Sequence, residues 1–237
     1  MTREDGREVD QLRPVEMTKD YVKFAEGSVL IRCGDTVVLC NASVEDKVPP
    51  HVREGHGWVT AEYSMLPRAN RQRSRRDIDK LKLNGRSAEI QRLIGRSLRA
   101  AVDLEALGER TVTVDCDVLQ GDGGTRTASI TGGFVALALA CRKLLREGKV
   151  ERNPIVHQVA AVSAGIIDDV PMLDLPYSED SRAQVDLNCV MNEQGELIEI
   201  QGTGEGRSFT LSEQQELVRL CGKGIAELME KQREMLR

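Results

Sequence analysis

From Tyr21 to Val44 apolar and polar residues alternate (YVKFAEGSVLIRCGDTVVLCNASV), with breaks at Gly27 and at the Gly34 and Asp35 pair, as expected for strands joined by hairpins. Further on the period lengthens. Ile90, Leu93, Ile94, Leu98, Ala101 and Val102 recur at helical spacing, and Arg92, Arg96 and Arg99 fall on another stripe, so this helix is predicted to pack one face and keep the other basic. TVTVDCDVL (Thr111 to Leu119) alternates as a half-buried strand, and the Gly-rich GDGGTRT after it leads into a long apolar helix ending near Gly148. In the remainder, VAAVSAGII, AQVDLNCVM and LIEIQG read as strands, NEQG as a turn, and Thr210 with Glu213 as the capping box of a final helix. The expected class is α+β: one compact domain of 237 residues in two similar lobes, roughly 10–150 and 151–237, with no Pro- or Ser-rich linker between them.

Composition narrows the picture. The N-terminus is charged from its third residue and no run reaches the roughly 20 apolar residues of a spanning helix, so a cytoplasmic protein without membrane attachment is expected. Six cysteines without a CxxC pair, and three histidines away from zinc-ligand spacing, read as buried thiols in a reducing compartment. The net charge of −5 hides an asymmetry: between Arg68 and Arg99 nine Arg and two Lys face three acids, leaving the rest of the chain strongly acidic. Such a basic patch on an acidic body suits a polyanionic partner held at one place, the alternative being a solvated loop.

Three groups of residues could carry chemistry. GDGGTRT lies between a strand and a helix, where free amide N–H groups and the positive helix end attract phosphate; Gly123 and Gly124 permit close approach, and Thr125 and Arg126 add a hydroxyl and a planar fork. It lacks the Lys of a Walker loop and the spacing of a dinucleotide fingerprint, and a plain tight turn would also explain its glycines. Arg86 falls in the first turn of its helix, where a cation is disfavoured unless an anion or an acidic side chain sits alongside; otherwise it lies over the surface. LDLPYSEDSRAQVDLN gathers Asp174, Glu179, Asp180 and Asp186. On a strand Asp186 shares a face with Gln184 and Asn188, and with Asp180 from the preceding turn it could hold one Mg²⁺, unless both are plain surface acids.

GWVTAEYSMLPRA, GRSAEIQRLIGRSLRAAVDL, VDCDVLQGDGGTRTASITGG and LDLPYSEDSRAQVDLNCVMN together cover most of the chain and resemble the bacterial RNase PH family. The resemblance implies two βαβ-type lobes of the ribosomal protein S5 domain 2-like kind and a homohexameric ring, a trimer of dimers. It implies phosphorolysis: 3′-terminal nucleotides of tRNA precursors removed with inorganic phosphate as co-substrate, nucleoside diphosphates released, and the reaction reversible, with a part in tRNA and rRNA processing. Catalytic roles carry over to Arg86, Arg126, Asp180 and Asp186, phosphate binding to Arg86, Gly124, Thr125 and Arg126, the metal to Asp180 and Asp186, and RNA binding to Arg68, Arg71, Arg73 and Arg76. The chain departs from the family at DIDKLKLN (77–84) and in the compact PPHVREGHGW, which bear on loop geometry. The rival readings are an inactive RNA-binding ring subunit, which would be expected to lose the Arg or Asp site residues, a hydrolytic metal nuclease, and a small-molecule kinase.

Overall fold

The computed structural model describes residues 3–76 and 84–237; the departing stretch 77–84, apart from Asn84, and Lys80 and Lys82 of the basic window lie outside them. The first sheet is built from β1 (Val15–Lys19), β2 (Gly27–Cys33), β3 (Thr36–Glu45), β4 (Trp58–Met65) and β5 (Thr111–Gln120) in the order β1-β2-β3-β5-β4. Its pairs are antiparallel except β4 with β5, which run parallel and are joined across α1 (Gly85–Arg99) and the short α2 (Leu104–Leu107). The second sheet, of β6 (Val159–Ile167), β7 (Val170–Leu173), β8 (Val185–Asn192) and β9 (Leu197–Gly204), is antiparallel in the order β7-β6-β8-β9.

Between the sheets runs α3 (Thr125–Arg146), packed on β2 and β3 on one side and β6 on the other, so it is apolar nearly all round. By length and apolarity alone α3 could span a membrane, contrary to the sequence reading; with 78% of its apolar window buried, that composition serves the core. The final helix α5 (Leu211–Met235) covers the second sheet through Leu217, Leu220, Ile225 and Leu228, and its Thr210 and Glu213 form the expected capping box. Buried Gln232 of α5 donates to the carbonyls of Thr131 in α3 and Val159 in β6, both at 2.9 Å, and so ties three elements together.

Several local expectations change. The first strand is VEMTK (Val15–Lys19), too short to show a period; the alternating stretch from Tyr21 to Glu26 is a loop, with Phe24 exposed. Gly27 opens β2 instead of making a turn. A Cβ there would stand 1.9 Å from the carbonyl oxygen of Ala136, so glycine is what lets α3 cross this closely. Gly34, with φ +56°, does make the β2–β3 turn. The basic stripe of α1 is only partly free: Arg96 forms a fork with Glu199 at 2.5 and 3.0 Å, and Arg99 lies over the Trp58 ring and donates to the Val59 carbonyl. All six cysteines are buried thiols.

Candidate active site

Five elements line one open, polar pocket of about 790 Å³, β9 contributing Ile200, Gln201, Gly202 and Thr203. Arg86 enters from the first turn of α1, whose cap is Asn84, and Arg126 from the first turn of α3. Asp180 ends the short helix α4 (Tyr177–Asp180), and Asp186 lies on β8. The four residues to which catalysis was assigned from the sequence therefore share one cavity. Asp186 is on the face expected for it: Asn188, two residues on, donates to its carboxylate at 3.2 Å and also lines the pocket.

The charges are unevenly matched. Arg126 donates to Gln201 at 3.0 Å and lies 3.7 Å from Glu89. Among the described residues the Arg86 guanidinium has no carboxylate within ion-pair distance, and its electrostatic influence in the pocket is on Asp180. Asp180 and Asp186 likewise have no basic group within ion-pair distance among the described residues. Burial raises the Asp180 carboxyl, partly offset by Arg86 and Arg126; burial and then the neighbouring Asp180 push that of Asp186 up to about 6. The pocket thus gathers two carboxylates and Arg86 without a direct ion pair between them among the described residues. That set fits a divalent cation together with a phosphate anion. Among the described residues no three acids, histidines or cysteines are grouped to hold a metal by themselves, so a cation here would share its shell with water or substrate oxygens.

The Gly-rich loop stands at the N-terminus of α3. Gly123 and Gly124 have φ of +74° and +65°, and a Cβ on Gly123 would meet the Leu175 carbonyl oxygen at 2.4 Å. Gly124 caps α3 without a side-chain acceptor, leaving the first-turn amides open to an anion. The Thr125 hydroxyl turns inward, 2.8 Å from the Tyr63 hydroxyl of β4, and neither Gly124 nor Thr125, both assigned to phosphate from the sequence, is part of the cavity lining. Tyr63, which holds that hydroxyl, was not singled out in the sequence.

Arg68, Arg71, Arg73 and Arg76 are exposed on the loop after β4 and lie outside the pocket lining. None of them has an ion-pair partner among the described residues. Their loop is joined to the Gly-rich one where the Gly121 amide donates to the Ala69 carbonyl at 2.9 Å. The acidic cluster read from the sequence divides in two. Asp180 and Asp186 face the cavity, whereas Asp174 and Glu179, 6% and 2% exposed, pair with Arg13 and Arg3 of the N-terminal segment. Nothing local in the sequence announces pairs more than 160 residues apart.

Fold and pocket together define a class: an RNase PH-like α+β enzyme whose cavity gathers two arginines and two carboxylates. The models of the 3′ exoribonuclease family match here, domain 1 over residues 11–143 and domain 2 over residues 157–220. The chain belongs to the 3′ exoribonuclease family. It is 56% identical over 236 residues to ribonuclease PH of Bacillus subtilis, an alignment covering 99% of this chain and 96% of that one. Two solved structures share its fold: the Archaeoglobus fulgidus exosome with RNA bound to the active site (TM-score 0.84, 24% identity, 97% and 92% of the two chains) and rice Rrp46 (0.81, 18%, 99% and 100%).

Proposed function

We propose that this pocket carries out the family's phosphorolytic 3′-to-5′ exoribonuclease reaction with the residues in the following roles. Arg86, Arg126 and the amides of the Gly124 and Thr125 turn hold inorganic phosphate. One of its oxygens forms a bond to the phosphorus of the last internucleotide linkage, the bond from that phosphorus to the preceding 3′ oxygen breaks, and a nucleoside diphosphate leaves together with an RNA one nucleotide shorter. The nucleophile is already an anion, so no strong base is required, which agrees with a pocket that has no histidine in its lining. Asp180 and Asp186 would hold Mg²⁺, which when bound spreads the charge of the two phosphates. One phosphate linkage replaces another of similar energy, so the reaction runs in reverse when nucleoside diphosphate is abundant.

The observation that carries this reading is the convergence of Arg86, Arg126, Asp180 and Asp186 from four separate elements on one cavity. Retention of all four disfavours an inactive ring subunit, and a dedicated anion site disfavours a hydrolase. The substrate is the 3′ end of tRNA precursors, in line with the ribonuclease PH relative, with rRNA as a further target. The exposed loop arginines take the RNA backbone, and six copies form a ring in the cytoplasm. Incubating the protein with a 3′-extended tRNA and Mg²⁺, with and without inorganic phosphate, tests this. Nucleoside diphosphate released only with phosphate is the expected result; monophosphate released without it would mean a hydrolase.

A further inference from the structure

The Gly-rich loop is gripped from behind by an ionic cluster that takes no part in the chemistry above. Arg13, buried between the N-terminal segment and the second sheet, gives Nε and Nη2 to the Asp174 carboxylate at 3.1 and 2.7 Å, and its own backbone N–H donates there at 2.8 Å. The same guanidinium reaches forward into the loop, Nη1 to the Asp122 carbonyl at 2.5 Å and Nη2 to the Gly123 carbonyl at 3.5 Å. Thr36 of β3 completes the grip: its hydroxyl donates to the Gly123 carbonyl at 2.7 Å and accepts from the Asp122 amide at 2.9 Å. On the far side Asp122 accepts from the Tyr177 amide at 3.3 Å, which links the loop to the helix bearing Asp180.

The anchor itself is costly to build. Asp174 is buried and has φ +52°, a conformation a non-glycine residue seldom adopts. Burial would raise its carboxyl, yet Arg13 and Arg7 hold it below the usual carboxylate range. Its carbonyl accepts from Arg3 and Arg7 at 3.0 and 3.1 Å. A buried ion pair by itself is weak support for stability, because desolvation offsets much of the attraction. What this one does geometrically is turn the carbonyls of residues 122 and 123 inward. A planar peptide unit that turns its carbonyl inward turns the following N–H outward, here those of Gly123 and Gly124 away from Arg13 and Thr36.

We propose that Arg13, set by Asp174 and assisted by Thr36, is a positioning residue that orients the amides of the Gly-rich loop for inorganic phosphate. This rests on the reading of that loop as the phosphate site. The effect falls mainly on one substrate: the loop amides face phosphate, whereas the RNA backbone is assigned to the exposed arginines beyond the pocket, so a loosened loop weakens phosphate more than RNA.

Initial rates measured against phosphate at saturating RNA, and against RNA at saturating phosphate, test it in the full-length protein. Arg13→Lys keeps a charge for Asp174 but lacks the planar fork that spans acid and loop, and is expected to raise the phosphate KM about tenfold. Thr36→Val, nearly isosteric, is expected to raise it several-fold. In both, kcat at saturating phosphate and the RNA KM should stay within about twofold of the unchanged protein. Folded variants that lower the melting temperature yet keep the original phosphate KM would show the cluster to be structural only and overturn the proposal. An equal rise in both KM values would overturn it as well. If Arg13→Lys does not fold, Thr36→Val decides alone. Unchanged protein showing no saturable dependence on phosphate would remove the phosphate-site reading itself, a failure distinct from an unmoved KM in the variants.

Discussion

At the scale of single residues, the clearest constraint is at Gly27, where β2 and α3 touch. Gly27→Ala places a methyl group 1.9 Å from the Ala136 oxygen, and the backbone can only move apart. The expected cost is about 3 kcal/mol, read as a lower urea midpoint with unchanged slope. Within the pocket, Arg86→Ala should cost at least about tenfold in rate at low phosphate and less at high phosphate, since a charge-assisted contact to an anion is lost. Full phosphorolysis by that variant at low phosphate would refute the role given to Arg86. Arg86 and Arg126 were legible in the sequence because each sits at a helix start, where local electrostatics already asks for an anion. Arg3, Arg7 and Arg13 were not: in sequence they are charges near a terminus, and only the fold reveals that burial beside Asp174 and Glu179 gives them a purpose.

At the scale of elements, long segments were legible and short ones were not. α1 and β5 follow from periodicity, α3 and β6 from long apolar runs, and α5 from its capping box, each element spanning nine or more residues. β1, β7 and α4 span five residues or fewer, too little for any period, and α4 is the element that carries Asp180. The cap of α5 was readable as a motif and has a pH signature. Hydrogen bonds from Arg207 and then Thr210 hold the Glu213 carboxyl down at about 2, below its usual value near 4.5. A depressed folded pKa contributes stability that is complete above the unfolded value and is lost as pH falls through the folded one. Glu213→Gln should therefore destabilise at pH 7 and progressively less as pH drops from about 4.5 toward 2, measured by urea melts across that range. Thr210→Ala, which removes the reciprocal acceptor for the Glu213 amide, should cost about 1 kcal/mol.

At the scale of the whole molecule, the charge asymmetry seen in the sequence becomes a place. The described arginines between 68 and 76 lie on one exposed loop bonded to the Gly-rich loop, which places the basic patch of the sequence on the surface at one end of that link. Replacing Arg68, Arg71, Arg73 and Arg76 with Ala should weaken RNA binding alike across sequences and flatten its dependence on salt, by up to about four units of log–log slope if every one meets a phosphate. Titrating labelled RNA at several salt concentrations measures this; an unchanged slope would mean that the loop serves another purpose. With aromatic residues at only 3% of the chain, base stacking has little to add.

The placement of α3 also sets a problem of timing during synthesis. This helix is finished at Arg146, but β6, which shields its second side, begins at Val159, and Gln232, which fastens α3 to α5, comes near the very end. At ordinary translation rates the ribosome needs roughly 5 to 20 seconds to add the about ninety residues between those points. Until β6 has been made, the growing chain leaves the second side of α3 uncovered, and until β8 has been made the pocket lacks Asp186. Apolar surface left bare for a time during synthesis is the kind that chaperones bind.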